Sequence, residues 1–295
     1  MSESIGVVGG GIMGAGIAEV AARAGCHVIV REIDDAACEA SRARITASVQ
    51  RAVAAGKLAE EEQAGILDRI EFTCDLEAFA DRELVIEAVI EEESAKLGIF
   101  RALGTIVPEH AILASNTSSI PIMKLAAASA CPERVLGIHF FNPAPILPLV
   151  ELVPSLLTSD ATLERAQKFA SERLGKQTIV STDRAGFIVN ALLIPYILAA
   201  IRMVESGFAS AEDVDTAMVA GCAHPMGPLA LADLIGLDTT SAVAKSMYAE
   251  FKEPLYAAPP LLLRMVEGGL LGRKSGRGFH TYRKPGAESA GAART

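Results

Sequence analysis

The chain has 295 residues, 51% of them apolar and 21% charged, with a net charge of -9 and no tryptophan, a composition that excludes a disordered chain and leaves ample core. The acidic balance and an aromatic content of 5% argue against a duplex-binding surface or a base-stacking platform, so no nucleic-acid partner is expected. Cys26, Cys38, Cys74, Cys131 and Cys222 show no C-x-x-C spacing and no basic-then-apolar leader, and are expected as reduced core thiols of a cytoplasmic protein.

In chain order, "IGVVG" from Ile5 predicts a strand, "MGAGIAEVAARAG" a helix and "HVIV" the next strand. Between the first two lies G-x-G-x-x-G at Gly9, Gly11 and Gly14, with Ile12 and Met13 opening the helix. The three glycines suit, in turn, a tight turn, close backbone approach to a pyrophosphate and close helix packing, and the helix amides attract anionic phosphate. A glycine-rich turn without ligand is the bland alternative. Glu32, 18 residues beyond Gly14, stands where a carboxylate accepts hydrogen bonds from an adenosine ribose and repels a 2'-phosphate, favouring NAD over NADP. The neighbouring Arg31 keeps NADP open, since a guanidinium pairs with phosphate.

Residues 34–68 form a polar-faced helical pattern interrupted by Gly56 and longer than one crossover helix requires. "LVIEAVI" (84–90), "AILASNT" (111–117) and "RVLGIHFF" (134–141) predict buried strands, and together with their intervening helices they predict a doubly wound, mostly parallel sheet. The polar loop Ser115–Ser119 follows one of these strands, and carboxyl ends of such strands border the ligand crevice. Ser118 or Ser119 equally suits the N-cap of a helix beginning near Pro121. His139 on a buried strand is more often a satisfied core residue than a catalyst. Here the turn at Pro143 and Pro145 lets "LPLVELV" return beside it and brings Glu151 within reach, and a carboxylate on one imidazole nitrogen frees the other for proton exchange.

After "QTIVSTDRAG" the alternation stops, which sets a boundary near Arg184–Gly186: an α/β domain over 1–185, an all-helical domain over 186–284 and a frayed tail over 285–295. "GFIVNALLIPYILAAI" (186–201) is too short for a comfortable membrane span and reads as a buried interface helix, in which Asn190 either satisfies local backbone or points into a cleft. Tyr248 and Lys252 have the Y-x-x-x-K spacing of short-chain dehydrogenases but fall in the helical part, as a surface turn of helix. No His, Cys and carboxylate cluster has metal-ligand spacing.

Taken together and in this order, the glycine loop, "ASNTSS", "GIHFFNPAP", "LVE", "GFIVN", "HPMGPLALADLIGLD" and "LGRKSGRGFHTY" resemble the 3-hydroxyacyl-CoA dehydrogenase family from Ile5 to about Tyr282. The resemblance implies a Rossmann-like domain followed by an all-helical domain that forms a homodimer, with an acyl-CoA substrate and an NAD(P) cofactor. Matched residue by residue, it implies His139 as general acid/base with Glu151 as partner, and Ser118 and Asn190 positioning substrate oxygens. Glu32, Glu91, Lys96, Asn116, Ser118, Asn142 and Lys274 match cofactor-side positions, and Arg51 and Lys57 the region that meets coenzyme A phosphates. Pro148 departs from the pattern, since relatives often carry lysine there. That departure leaves room for a carrier-protein-bound acyl group or a sugar acid, and a catalytically silent crystallin-like protein is the alternative of another class.

Overall fold

In the computed structural model, which describes residues 4–282, the chain forms two compact units that join in sequence between Phe187 and Ile188. The frayed tail expected over 285–295 lies outside the described residues. The first unit runs β1 (Ser4–Val8), α1 (Ile12–Arg23), β2 (His27–Arg31), α2 (Asp35–Ala54), α3 (Glu60–Leu67), β3 (Ile70–Thr73), β4 (Leu84–Glu87), α4 (Glu93–Ile106), β5 (Ile112–Ser115), α5 (Ile122–Ala128), β6 (Val135–Phe140), β7 (Leu149–Pro154), α6 (Asp160–Lys168) and β8 (Gln177–Val180). Its sheet has the order β3-β2-β1-β4-β5-β6-β7-β8. The strands from β3 to β6 pair in parallel, and β7 returns antiparallel beside β6. Strand order reverses between β1 and β4, so the carboxyl ends of β1, β2, β4, β5 and β6 line the edge where a doubly wound sheet binds its ligand.

Period-2 alternation divides the core. Ile5 and Val7 of β1 and Leu136, Ile138 and Phe140 of β6 enter a cluster with Ile17 and Ala21 of α1 and Ile45 of α2, while Val8, Val85 and Val135 join Phe100 of α4 and Leu125 of α5 on the other face. Gly56, at φ 65, follows the end of α2, so the excursion is two helices rather than one. Asp34 caps α2 by accepting the Ala37 amide at 2.7 Å, worth about 1 kcal/mol. β3 was not anticipated, because only one of its four residues is fully buried and its pattern is too short to register.

The second unit contains α7 (Val189–Glu205), α8 (Ala211–Cys222), α9 (Pro228–Ile235), α10 (Leu237–Phe251) and α11 (Pro260–Glu267). The stretch 186–201 departs from its expectation of a wholly buried helix. The helix begins only at Val189, and Ile194, Ile197, Leu198 and Ile201 are buried on one face while Leu192 is 74% exposed. Two buried aspartates latch this unit: Asp215 accepts the Leu229 and Ala230 amides at the start of α9, and Asp233 accepts the Phe279 and His280 amides and the Tyr282 hydroxyl. Those contacts give "HPMGPLALADLIGLD" and "GFHTY" a structural purpose. Tyr248 and Lys252 sit at the end of α10, Lys252 as its left-handed cap. Among the cysteines, Cys74 and Cys222 are exposed, contrary to the expectation that all five lie in the core. Among the described residues no helix is long and apolar enough to cross a membrane, and no cluster could hold a metal ion.

Candidate active site

The glycine loop joins β1 to α1. Gly9 takes φ 92, which favours glycine, and a Cβ on Gly14 would lie 1.7 Å from the Gly9 carbonyl oxygen, so neither position accepts a side chain without moving backbone. α1 has no side-chain cap and no acidic residue in its first turn, so the amides of Ile12, Met13 and Gly14 are left to meet an anion. A Cβ on Gly11 would meet nothing within 4 Å, and Ile12 is exposed. Glu32, just past β2, accepts the Gly10 amide at 2.6 Å, which places its carboxylate against this loop. A free helix start, an open approach and an adjacent carboxylate fit a dinucleotide: pyrophosphate on the amides, ribose hydroxyls on Glu32. Sequence reasoning missed the support from α2. Arg44 donates to the Gly10 carbonyl at 2.6 Å, and the buried Ser41 packs under the same glycine.

A second group of side chains gathers at the ends of β4 and β5. Glu87, fully buried at the last position of β4, accepts from Lys96 Nζ and from Ser115 Oγ at 2.6 Å each, and from the Val89 amide at 2.7 Å. Lys96, also buried, reaches Glu91 at 3.2 Å. Glu91 in turn accepts from the hydroxyls of Thr117 and Ser119 and from the amides of Ser118 and Ser119. Burial would raise the Glu91 carboxyl, but the Lys96 charge and the two hydroxyls outweigh it and hold the group below the usual carboxylate range. These bonds fix the serine loop, in which Ser118 stays half-buried. Neither Ser118 nor Ser119 caps the helix that follows. The first amides of α5, Ile122 and Met123, donate to Asp183 at 2.8 and 2.7 Å, from 61 and 60 residues further along the chain. Asn116 links the loop to the next strand by accepting the Phe140 amide at 2.9 Å.

His139 and Glu151 are direct cross-strand partners of β6 and β7. His139 Nδ1 lies 2.7 Å from Glu151 Oε2, and both side chains are buried. The rings of Phe141 and Phe187 stand edge-on to the imidazole at 4.7 and 5.4 Å between centroids. Phe187 holds its place with a left-handed backbone, φ 47, a conformation that costs a bulky residue about 1–2 kcal/mol. The carboxylate accepts the proton on Nδ1, and that fixes the tautomer in which Nε2 carries the free lone pair. The turn between the strands, with a cis bond at Asn142–Pro143, is held by Lys176, whose ammonium donates to the carbonyls of Ala144 and Leu147 at 2.7 Å each. Burial and the Arg23 charge lower the Lys176 pKa from its ordinary value.

Comparison with known proteins places this geometry. Residues 4–184 match the profile of the 3-hydroxyacyl-CoA dehydrogenase NAD-binding domain, and residues 186–282 that of the C-terminal domain. The chain belongs to the 3-hydroxyacyl-CoA dehydrogenase family. It is an NAD-dependent oxidoreductase. The chain is 60% identical to the 3-hydroxybutyryl-CoA dehydrogenase of Mycobacterium tuberculosis over 95% of its length and 98% of the relative's. It is 40% identical to the human mitochondrial hydroxyacyl-coenzyme A dehydrogenase over 94% of this chain and 90% of that one. Among solved structures, (S)-3-hydroxybutyryl-CoA dehydrogenase from Ralstonia eutropha superposes with a TM-score of 0.90 at 42% identity, covering 96% of this chain and all 100% of that one.

Within the family frame, the other sequence-derived residues are distributed as follows. Arg51 lies in the last turn of α2 and Lys57 just beyond it, both exposed. Asn142 is exposed at the tip of the hairpin, near the exposed Pro148, whose carbonyl accepts the Gln177 amide at 2.8 Å. Asn190 is the second residue of α7, and Lys274 pairs with Asp238 at 2.6 Å, both in the helical unit. Glu87 was the main omission. Its signal was a glutamate inside the apolar run "LVIEAVI", nine residues before a lysine on the following helix.

Proposed function

We propose that this oxidoreductase interconverts a 3-hydroxyacyl-CoA, with 3-hydroxybutyryl-CoA the favoured substrate, and the corresponding 3-oxoacyl-CoA, with His139 as general acid/base and Glu151 as its partner. The observation that carries the assignment is the buried contact of 2.7 Å between Nδ1 and the Glu151 carboxylate. In the oxidative direction His139 Nε2 takes the proton of the C3 hydroxyl, and Glu151 stabilises the imidazolium that results; in reduction the imidazolium returns the proton to the C3 oxygen. Bound NAD supplies the hydride acceptor, or as NADH the donor. Phe141 and Phe187 shield the imidazole from water, which strengthens its interaction with the carboxylate. The Ser118 hydroxyl and the Asn190 amide orient substrate oxygens. Glu32 gives the preference for NAD over NADP, and Arg51 and Lys57 meet the phosphates of coenzyme A.

The reading extends to assembly and place. A homodimer through the helical unit is supported by its exposed apolar side chains, including Leu192, Met203, Phe208 and Val219. The free cysteines suit a reducing cytoplasm. Oxidation of NADH, followed by absorbance with acetoacetyl-CoA, tests the assignment: turnover is expected with the CoA ester, and turnover with a sugar acid in its place would contradict it.

A further inference from the structure

Outside the residues used so far, two sulfur atoms lie side by side. Cys38 Sγ, in the first turns of α2, is 3.9 Å from Cys74 Sγ, at the residue that follows β3. Cys38 is buried and Cys74 is exposed, so the pair has one protected sulfur and one open to solvent. Cys38 also donates to the Thr73 carbonyl at 3.5 Å, and Cys74 to the Asp35 carboxylate at 3.5 Å. The Glu32 amide donates to the same Thr73 carbonyl at 2.9 Å. The two cysteines therefore sit beside the residue that faces the cofactor's ribose, on the two chain segments that flank it.

We propose that Cys38 and Cys74 form an oxidisable dithiol site, which a hydroperoxide converts to an intramolecular disulfide that weakens dinucleotide binding. The step balances as follows. The Cys74 thiolate attacks a peroxide oxygen, the O–O bond breaks, and hydroxide leaves and takes a proton as water, so that Cys74 becomes a sulfenic acid. Cys38, as thiolate, then attacks the sulfenic sulfur; the S–S bond forms, the S–O bond breaks, and a second water departs. The two thiols lose two electrons and two protons in all, and the peroxide is reduced to two waters. Closing the pair from its present separation to a bond of about 2.05 Å draws α2 and the end of β3 together. That movement costs Cys38 its bond to the Thr73 carbonyl and Cys74 its bond to Asp35, on either side of Glu32.

The site responds slowly, and the cause is visible. The Cys74 sulfur is crowded against its neighbours although the residue is exposed. That burial, with the hydrogen bonds to Cys38 and Asp35, pushes the thiol up to about 11. Oxidation therefore accelerates as pH rises towards that value, and Asp35→Asn accelerates it at constant pH. An isolated surface cysteine would show no response to Asp35.

The test treats the full-length protein with hydrogen peroxide, then combines intact mass, thiol titration and peptide mapping without reductant. Loss of two hydrogens, a Cys38–Cys74 peptide and recovery with a dithiol reductant are expected, with faster formation in Asp35→Asn and none in Cys74→Ser. NADH titrated by fluorescence should bind the disulfide form about fivefold more weakly, the low end of ordinary coupling between sites. Oxygen addition to Cys74 without a disulfide, or a disulfide that leaves NADH affinity unchanged, would overturn the proposal. Cys38→Ser gives a control that folds without the pair, and in it Cys74 should accumulate as the sulfenic acid.

Discussion

The glycine loop and the His139 crevice lie along one edge of the same sheet and are built from different materials. The loop works through backbone: φ 92 at Gly9, a Gly14 that tolerates no Cβ and an uncapped helix start. The crevice works through buried ionisable side chains: His139 with Glu151, and Glu87 with Lys96 and Glu91. A backbone site is disturbed by adding atoms. A site of buried charges is disturbed by removing one, because the partner left behind is neither solvated nor paired.

The contrast is sharpest in turnover. His139→Gln should cut kcat by on the order of a hundredfold or more while leaving NADH binding nearly intact. Steady-state assays beside an NADH titration measure the two effects separately, and equal losses in both would erase the distinction between the regions. Glu87→Gln comes next. It leaves the Lys96 ammonium buried without its closest carboxylate and should destabilise the fold by about 3 kcal/mol, read from the shift in the urea midpoint. An unchanged midpoint would mean that Glu91 alone satisfies the lysine.

Gly14→Ala should do the opposite of His139→Gln. It forces α1 away from the Gly9 carbonyl and should weaken NADH binding about tenfold, whereas kcat at saturating NADH changes little. The smallest effect concerns pH. The Glu91 pKa lies below its ordinary value of 4.5, so its contribution to stability is fully present above that value and disappears as pH falls through the folded-state pKa. Urea midpoints measured from neutral to acid pH should fall less steeply in Glu91→Gln than in the parent.

The two regions also differed in how much of them could be read from sequence. Gly9, Gly11 and Gly14 are close together, and each answers a local steric demand, so their pattern was legible before any tertiary structure. His139 and Glu151 were legible as candidates because a short hairpin limits the registers open to two neighbouring strands, and the observed register sets them opposite each other. The rest depended on long-range packing. Asp183 caps α5 across some 60 residues, and Arg44 reaches the glycine loop from an excursion helix whose pattern announced only a polar face. Phe187 was overlooked because an apolar residue at a domain joint carries no sign that its backbone turns left-handed to set a ring on a histidine. β3 escaped because an edge strand of four residues buries too little to impose a pattern.

The central claim is that His139 and Glu151 act as one unit. A double-mutant cycle on kcat tests it most directly, with NADH oxidation by acetoacetyl-CoA measured for the parent, His139→Gln, Glu151→Gln and the double variant. The account predicts that the double variant loses about as much as His139→Gln alone, since the carboxylate has no work once the imidazole is gone. Losses that multiply would show that the two residues contribute independently, and would contradict it.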